Sequence, residues 1–287
     1  MSIQRQRAQP KTTSTAAGER RQIERAVQRS LRHGTAALYE DALFFDHFYR
    51  RRSADVKLYV ELARRYGGPV LELGVGTGRI AIAIARAGIE VVGVDVMPSM
   101  LARARQRTFA LPLVTRGLLT LRRGDMRRLA LGRRFPLVIA PFNAFTHLYT
   151  RDDVERTLAC CRRHLEPRGR LAFDVVMPDL RALHQDPDRL YRGRDVRDPR
   201  DSGMWRYHEA SHYDAARQIR SVTMLFERKD DPRRTRAVPL TQRQFFPSEL
   251  EGLLHYNGFE IEQRYGDFRF GPLRESSETQ VLVARPA

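Results

Sequence analysis

The chain has 287 residues, 42% of them hydrophobic, enough for one large α/β domain or a domain carrying an insertion. Lysine and arginine outnumber acids 51 to 34, a formal net charge of +17. Yet lysine occurs only at Lys11, Lys57 and Lys229, and the arginines are scattered rather than gathered in one stripe, so nucleic acid is disfavoured as a partner. No apolar run approaches the ~18 residues of a membrane helix, and no membrane partner is expected. The basic N-terminus lacks the apolar stretch of a secretory signal. Cys160 and Cys161 are adjacent, which argues against a disulfide framework or a metal set and for a reducing compartment, the cytoplasm.

Residues 1–18 are poor in apolar side chains and read as a disordered basic tail. Residues 19–68 read as a helical cap. Within it, Glu19 to Leu31 places Ile23, Val27 and Leu31 four apart, predicting a basic helix ended by Gly34. Tyr39 to Tyr49 is strongly aromatic, and one reading is an amphipathic helix burying Leu43, Phe44 and Phe48. Asp55 to Tyr66 predicts another helix, with Val56, Tyr59, Val60 and Ala63 inward, closed by Gly67-Gly68.

Pro69 to Asp95 organises the rest. Val70-Leu71-Glu72-Leu73 is a buried parallel strand by composition. It runs into Gly74-Val75-Gly76-Thr77-Gly78, then a helix from Arg79 to Ala87 ended by Gly88, then a strand from Glu90 to Asp95. Ile80, Ile82 and Ile84 alternate as a strand would, but the alanines between them and the flanking strands favour a buried helix. Such a βαβ unit crosses over right-handed and sets its glycine turn at the carboxyl edge of the sheet, where ligands bind. A dinucleotide fingerprint would need a third glycine where Arg79 stands, and a G-x-x-x-x-G-K-[ST] phosphate loop is absent. Asp95 is placed where an acid can accept from ribose hydroxyls.

The Glu72 to Gly78 stretch resembles the first motif of the class I S-adenosylmethionine-dependent methyltransferases, an apolar strand with an acid followed by G-x-G-x-G. The resemblance implies S-adenosylmethionine as cofactor and a Rossmann-like α/β sheet of seven strands whose last hairpin is antiparallel. It implies cofactor contacts from Glu72, Gly74, Gly76, Gly78, Asp95 and Val96, with Met97 packed on the adenine ring. Leu118 to Arg123 is the third strand, and the resemblance makes Asp125 the acceptor of the adenine amine, with the Met126 backbone on the ring. The same family often closes a tyrosine-bearing N-terminal segment over the cofactor, which brings Tyr39 or Tyr49 near the chemistry.

Phe135 to Ala140 is the fourth strand, followed by Pro141-Phe142-Asn143-Ala144-Phe145-Thr146-His147-Leu148. In the family this loop lies beneath the transferred methyl, with Pro141 and Phe142 on the cofactor and Asn143 on the substrate. The N-A-F-T-H-L run is similar to that of glycine/sarcosine N-methyltransferases and, more loosely, aminosugar N-methyltransferases. It is unlike the N/D-P-P-[YFW] loop of exocyclic-base enzymes. His147, with an ordinary pKa near 6.5, is the candidate base, its alternative being a hydrogen bond within the loop.

Val154 to Leu165 predicts a helix with Val154, Leu158, Cys161 and Leu165 inward, and Arg170 to Val176 a fifth strand. Residues 181–246 then form an inserted antiparallel β lid, built from Met204–Tyr213, Gln218–Glu227 and Thr235–Phe246. Trp205, Tyr207 and His208 are its candidate substrate contacts, with cross-strand structural pairing as the alternative. Ser248 to Glu251 reads as a capping box opening a helix that stops at Asn257-Gly258. Phe259–Tyr265 and Thr279–Arg285 close the sheet, so the cofactor domain spans residues 69–180 and 247–287. The reading is methyl transfer to nitrogen or oxygen of a small, natural-product or amino-acid-like acceptor. The alternatives are an RNA or protein methyltransferase using the basic arm, and a cofactor-binding regulator without catalysis. No metal is expected, and a homodimer is left open.

Overall fold

The computed structural model describes residues 31, 33–200 and 203–287. The expected tail, and all but Leu31 of the helix drawn from Glu19, lie outside the described residues. A seven-stranded sheet runs in the order β11-β12-β5-β4-β1-β2-β3. Its parallel part is β1 (Val70–Leu73), β2 (Val91–Asp95), β3 (Leu119–Arg123), β4 (Phe135–Ala140) and β5 (Leu165–Val176). β12 (Thr279–Pro286) is antiparallel to β5, and β11 (Phe259–Tyr265) to β12. The strand order reverses between β4 and β1, which opens a crevice at their carboxyl ends.

All four β1 residues are buried, because helices cover both faces of the sheet. Ile80 and Ile84 of one helix pack beside Leu58 and Leu62 of another, while Leu158, Leu250 and Leu254 fill the opposite face. Both cysteines are buried there. The helix Ala54–Tyr66 turns inward through Leu58, Tyr59, Leu62 and Ala63, so Val56 and Val60, expected inside, are only half-buried. Asp55 explains the rotation: it is itself buried, gripped by Arg79 through bonds of 2.5 and 2.7 Å.

A second, antiparallel sheet follows the fifth strand: β10 (Thr235–Arg243) lies at one edge, then β9 (Ile219–Arg228) and β8 (Met204–Asp214), with the short β6 (Tyr191–Arg192) and β7 (Val196–Arg197) both paired to β8. Val222, Met224, Phe226, Val238 and Leu240 form its apolar face. They pack on Leu38 and Phe44 of the N-terminal cap, whose short helix α1 spans Ala42–Phe48. Leu43, expected inside, is exposed.

Gly34 does not end a helix, since residues 33–40 are helical through it. A Cβ there would stand 2.9 Å from the Thr241 methyl, so the glycine serves the close approach of the cap to β10. Nor does Ser248 cap the helix Pro247–Tyr256, whose N-cap is Phe246 without a side-chain bond. Proline at the first position replaces it, and Glu251 pairs with Arg264 instead. A capping box does form at Thr150 and Asp153, ahead of the helix Arg151–His164. No described helix is long and apolar enough to cross a membrane.

Candidate active site

A cavity of about 820 Å³ opens at the carboxyl ends of β1, β2 and β4. Its roof is the cap, which presents Tyr39, Phe45, Asp46 and Tyr49 to it. The cap is clasped down. Asp46 accepts from the Thr77 hydroxyl at 2.5 Å, Arg103 at 2.8 Å and Arg107 at 3.3 Å. The Tyr39 carbonyl accepts from the Ser99 hydroxyl at 2.7 Å.

The glycine turn forms one wall, with Gly74, Gly76 and Gly78 at φ +70°, +55° and +80°. A Cβ on Gly76 would meet no protein atom closer than 4.0 Å, so its backbone faces open cavity. Gly78 does not line the cavity; it starts the helix Arg79–Arg86 and lies against Ile82. Asp95 is 8% exposed and accepts from Gly76 N–H at 2.7 Å and Met97 N–H at 2.8 Å. Burial raises its carboxyl, with those backbone donors opposing. Each carboxylate oxygen keeps a further lone pair for a ligand donor. Glu72, 2% exposed, is pushed well up by burial, and its Oε2 has no hydrogen-bond partner.

Val96, Met97, Asp125, Met126, Pro141 and Phe142 complete the lining named from sequence. Asp125 is bracketed by Arg127 Nε and Nη2 at 2.9 and 2.7 Å, which holds its carboxyl below the usual range. An open glycine cradle, a buried acid beside it and an orphaned carboxylate oxygen suit a ligand carrying a diol and an ammonium group. S-adenosylmethionine has both. Replacing Asp95 with alanine removes bonds to a charged acceptor, each worth roughly 1.5–3 kcal/mol. Calorimetry should show S-adenosylmethionine affinity falling about tenfold to more than a hundredfold; an unchanged dissociation constant rules out the ribose role.

The loop after β4 carries a strained corner. Phe142 and Asn143 have φ of 57° and 62°, unusual for a bulky aromatic residue. Asp174, fully buried on β5, holds the corner, accepting from Phe142 N–H at 2.8 Å, Asn143 N–H at 3.4 Å and the Tyr59 hydroxyl at 2.6 Å. Asn143 does not line the cavity. Its side-chain oxygen accepts from Val176 N–H at 2.6 Å and ties the loop to β5. His147 faces the cavity with Nε2 2.7 Å from the Tyr39 hydroxyl. Burial lowers its pKa to about 4, so the ring is a weak proton acceptor, unlike an exposed histidine.

None of Trp205, Tyr207 and His208 lines the cavity. Tyr207 lies flat on Phe226, ring centroids 5.1 Å apart, and meets Phe48 at its edge. Strand alternation turns His208 to the other face of the sheet. The three cannot form one wall, and α1 stands between Tyr207 and the cavity. Phe45, Asp46 and Asp174 were not singled out from sequence. An acid set between Phe45 and Phe48 was the available sign for Asp46; Asp174 had no local sign.

A glycine cradle at the β1 switch point, under a cap and beside a β4 loop strapped from β5, is the arrangement that the resemblance to class I S-adenosylmethionine-dependent methyltransferases implies. Residues 70–169 match the family model described as a methyltransferase domain. The chain is 27% identical over 225 residues to the putative methyltransferase YqeM of Bacillus subtilis (strain 168), covering 73% of this chain and 81% of that one. It is 27% identical over 249 residues to the glycine/sarcosine N-methyltransferase of Aphanothece halophytica, covering 83% and 84%. The solved structure of the CcbJ methyltransferase from Streptomyces caelestis matches with a TM-score of 0.75 at 27% identity, over 88% of this chain and 99% of that one. The fold and the matched methyltransferase domain are thus similar to those of S-adenosylmethionine-dependent methyltransferases.

Proposed function

We propose that the protein methylates the amino nitrogen of a small molecule. The observation that carries this reading is the uncharged Tyr39–His147 pair on the cavity wall, above the β4 loop. The similarity to an enzyme named for glycine and sarcosine supports nitrogen over oxygen.

When bound, S-adenosylmethionine supplies a methyl group already activated by a sulfonium. The chain's own task is alignment, which can contribute on the order of 7–11 kcal/mol. Glu72, Asp95 and the glycine turn would hold the cofactor, with Asp125 and Met126 at the adenine end. The cap excludes water. An amine attacks only as the free base, and the weakly polar surroundings of Tyr39, Phe45 and Tyr49 lower an amine's own pKa. His147 fixes the Tyr39 hydroxyl, whose oxygen can accept an N–H from the acceptor and aim the nitrogen lone pair. His147 is therefore a positioning residue, and the released proton goes to solvent.

The pH dependence separates this from general-base catalysis. Turnover should rise with the free-amine fraction of the acceptor and show no inflection between pH 5 and 8 belonging to His147. Tyr39→Phe should lower kcat tenfold to a hundredfold, with cofactor affinity intact. A panel of small amines and phenols assayed from pH 6 to 9 tests the reading, and turnover of phenols alone overturns it. The same lowered pKa acts on folding. Stability contributed by neutral His147 is present above about pH 6.5 and lost as pH falls towards 4, at most about 3 kcal/mol.

A further inference from the structure

Beside the edge strand β3, three apolar side chains stand out into solvent: Phe109, Leu113 and Val114 are 76%, 72% and 83% exposed. Phe109 closes the helix Pro98–Phe109, whose inward stripe is Met100, Leu101, Ala104 and Thr108. Pro112 is the N-cap of the helix Leu113–Gly117, none of whose residues is buried. Packing therefore does not account for two apolar residues at the head of that helix. Single exposed apolar side chains are ordinary, but a cluster of them marks a surface with a partner.

The charge around the cluster has one sign. Residues 96–124 hold six arginines and no aspartate or glutamate. Arg103 and Arg107 are committed to Asp46. Arg105, Arg116, Arg122 and Arg123 form no ion pair among the described residues. Arg116 sets its guanidinium over the Phe109 ring, 5.3 Å from the centroid, so charge and apolar surface share one face. Arg105 precedes Phe109 by one helical turn and lies on the same stripe. Arg122 and Arg123 are exposed on β3.

Protruding apolar tips ringed by unpaired cations match an anionic lipid surface. The tips enter the boundary between headgroups and acyl chains, while the guanidinium groups stay among the phosphates. Nucleic acid would engage the arginines and leave Phe109, Leu113 and Val114 in water. A second copy of the chain would set arginine against arginine.

We propose that this edge of the molecule adheres to bilayers containing anionic phospholipid, through Phe109, Leu113 and Val114 and the arginines around them. The expectation of no membrane partner concerns spanning runs, and a peripheral surface needs none. None of these residues lines the cavity, so attachment and cofactor binding are separate properties.

Flotation of the full chain with unilamellar vesicles tests the surface. One set is phosphatidylcholine alone, and the other carries about a third phosphatidylglycerol. Binding to the anionic set at least about tenfold above the neutral set is expected. A net charge of +17 draws the chain to any anionic surface, so the variants decide. Phe109→Ser with Leu113→Ser leaves the charge unchanged and should weaken binding about fivefold or more. Arg116→Gln with Arg122→Gln should weaken it about tenfold to thirtyfold. Arg181→Gln with Arg274→Gln removes the same charge from exposed positions away from β3, and should weaken it less than about twofold. Phe109→Trp should become quenchable by brominated acyl chains in the anionic vesicles. Melting temperature and S-adenosylhomocysteine affinity should stay parental throughout. Failure to bind either vesicle overturns the proposal. So does a serine pair that binds as the parent does, or two arginine pairs of equal effect, since either outcome leaves only attraction by net charge. A chain that ignores vesicles but binds an RNA oligomer, less tightly in the Arg116/Arg122 pair and unchanged in the serine pair, assigns the surface to nucleic acid and also overturns it.

Discussion

Replacing Gly76 with valine is expected to abolish cofactor binding in a protein that still melts cooperatively. The backbone at Gly76 has φ +55° and faces open cavity, the nearest atom to an added Cβ being the Gly74 carbonyl oxygen at 4.0 Å. A valine side chain would occupy the space through which a ligand approaches the turn. The left-handed conformation costs a further 1–2 kcal/mol or so for a residue with a Cβ. Asp95 also accepts from Gly76 N–H, so a shifted turn would move the acid with it. Calorimetry with S-adenosylhomocysteine and a thermal melt decide the matter. Normal binding by Gly76→Val means that the ligand does not approach this backbone.

The second large effect is expected at Asp174, which touches no cavity space. Removing its carboxylate leaves the Phe142 and Asn143 N–H groups and the Tyr59 hydroxyl without their acceptor inside the core. Each buried donor left unsatisfied costs roughly 1–3 kcal/mol, so Asp174→Ala should melt well below the parent. Turnover should fall further than the loss of folded protein explains, because the corner that carries Phe142 loses its strap. Asp174→Asn keeps the shape and one acceptor oxygen, and should recover part of both. Parental turnover per folded molecule in Asp174→Ala would show that the strap does not position the loop.

What could be read in the sequence, and what could not, divides by distance along the chain. The β1–glycine–helix–β2 unit was legible because strand, turn and helix signals lie within 27 consecutive residues, Pro69 to Asp95. Asp174 was read only as the end of a strand, since its partners Phe142 and Tyr59 lie 32 and 115 residues away. On the helix Ala54–Tyr66 the expectation holds for Tyr59 and Ala63 but not for Val56 and Val60, because apolar spacing alone does not place a buried ion pair such as Asp55–Arg79. The capping box at Ser248 met its pattern, but the proline at the preceding position already satisfied the helix start. Gly34 looked like a stop because a helix-interior glycine costs stability. Its reason, contact with Thr241 of β10, is invisible from local sequence. The β meander was legible as strands, whereas its position behind the cap depended on Phe44 and Phe48 turning away from the site.

That layering has a thermodynamic consequence. A seven-residue helix such as α1 is too short to hold its own hydrogen bonds in water. Its order is lent by two neighbours, Phe226 and its strand on one side and the Asp46 clasp over the glycine turn on the other. Substitutions that loosen Phe226 or its strand should therefore also loosen the cap helix, although they lie outside the cavity.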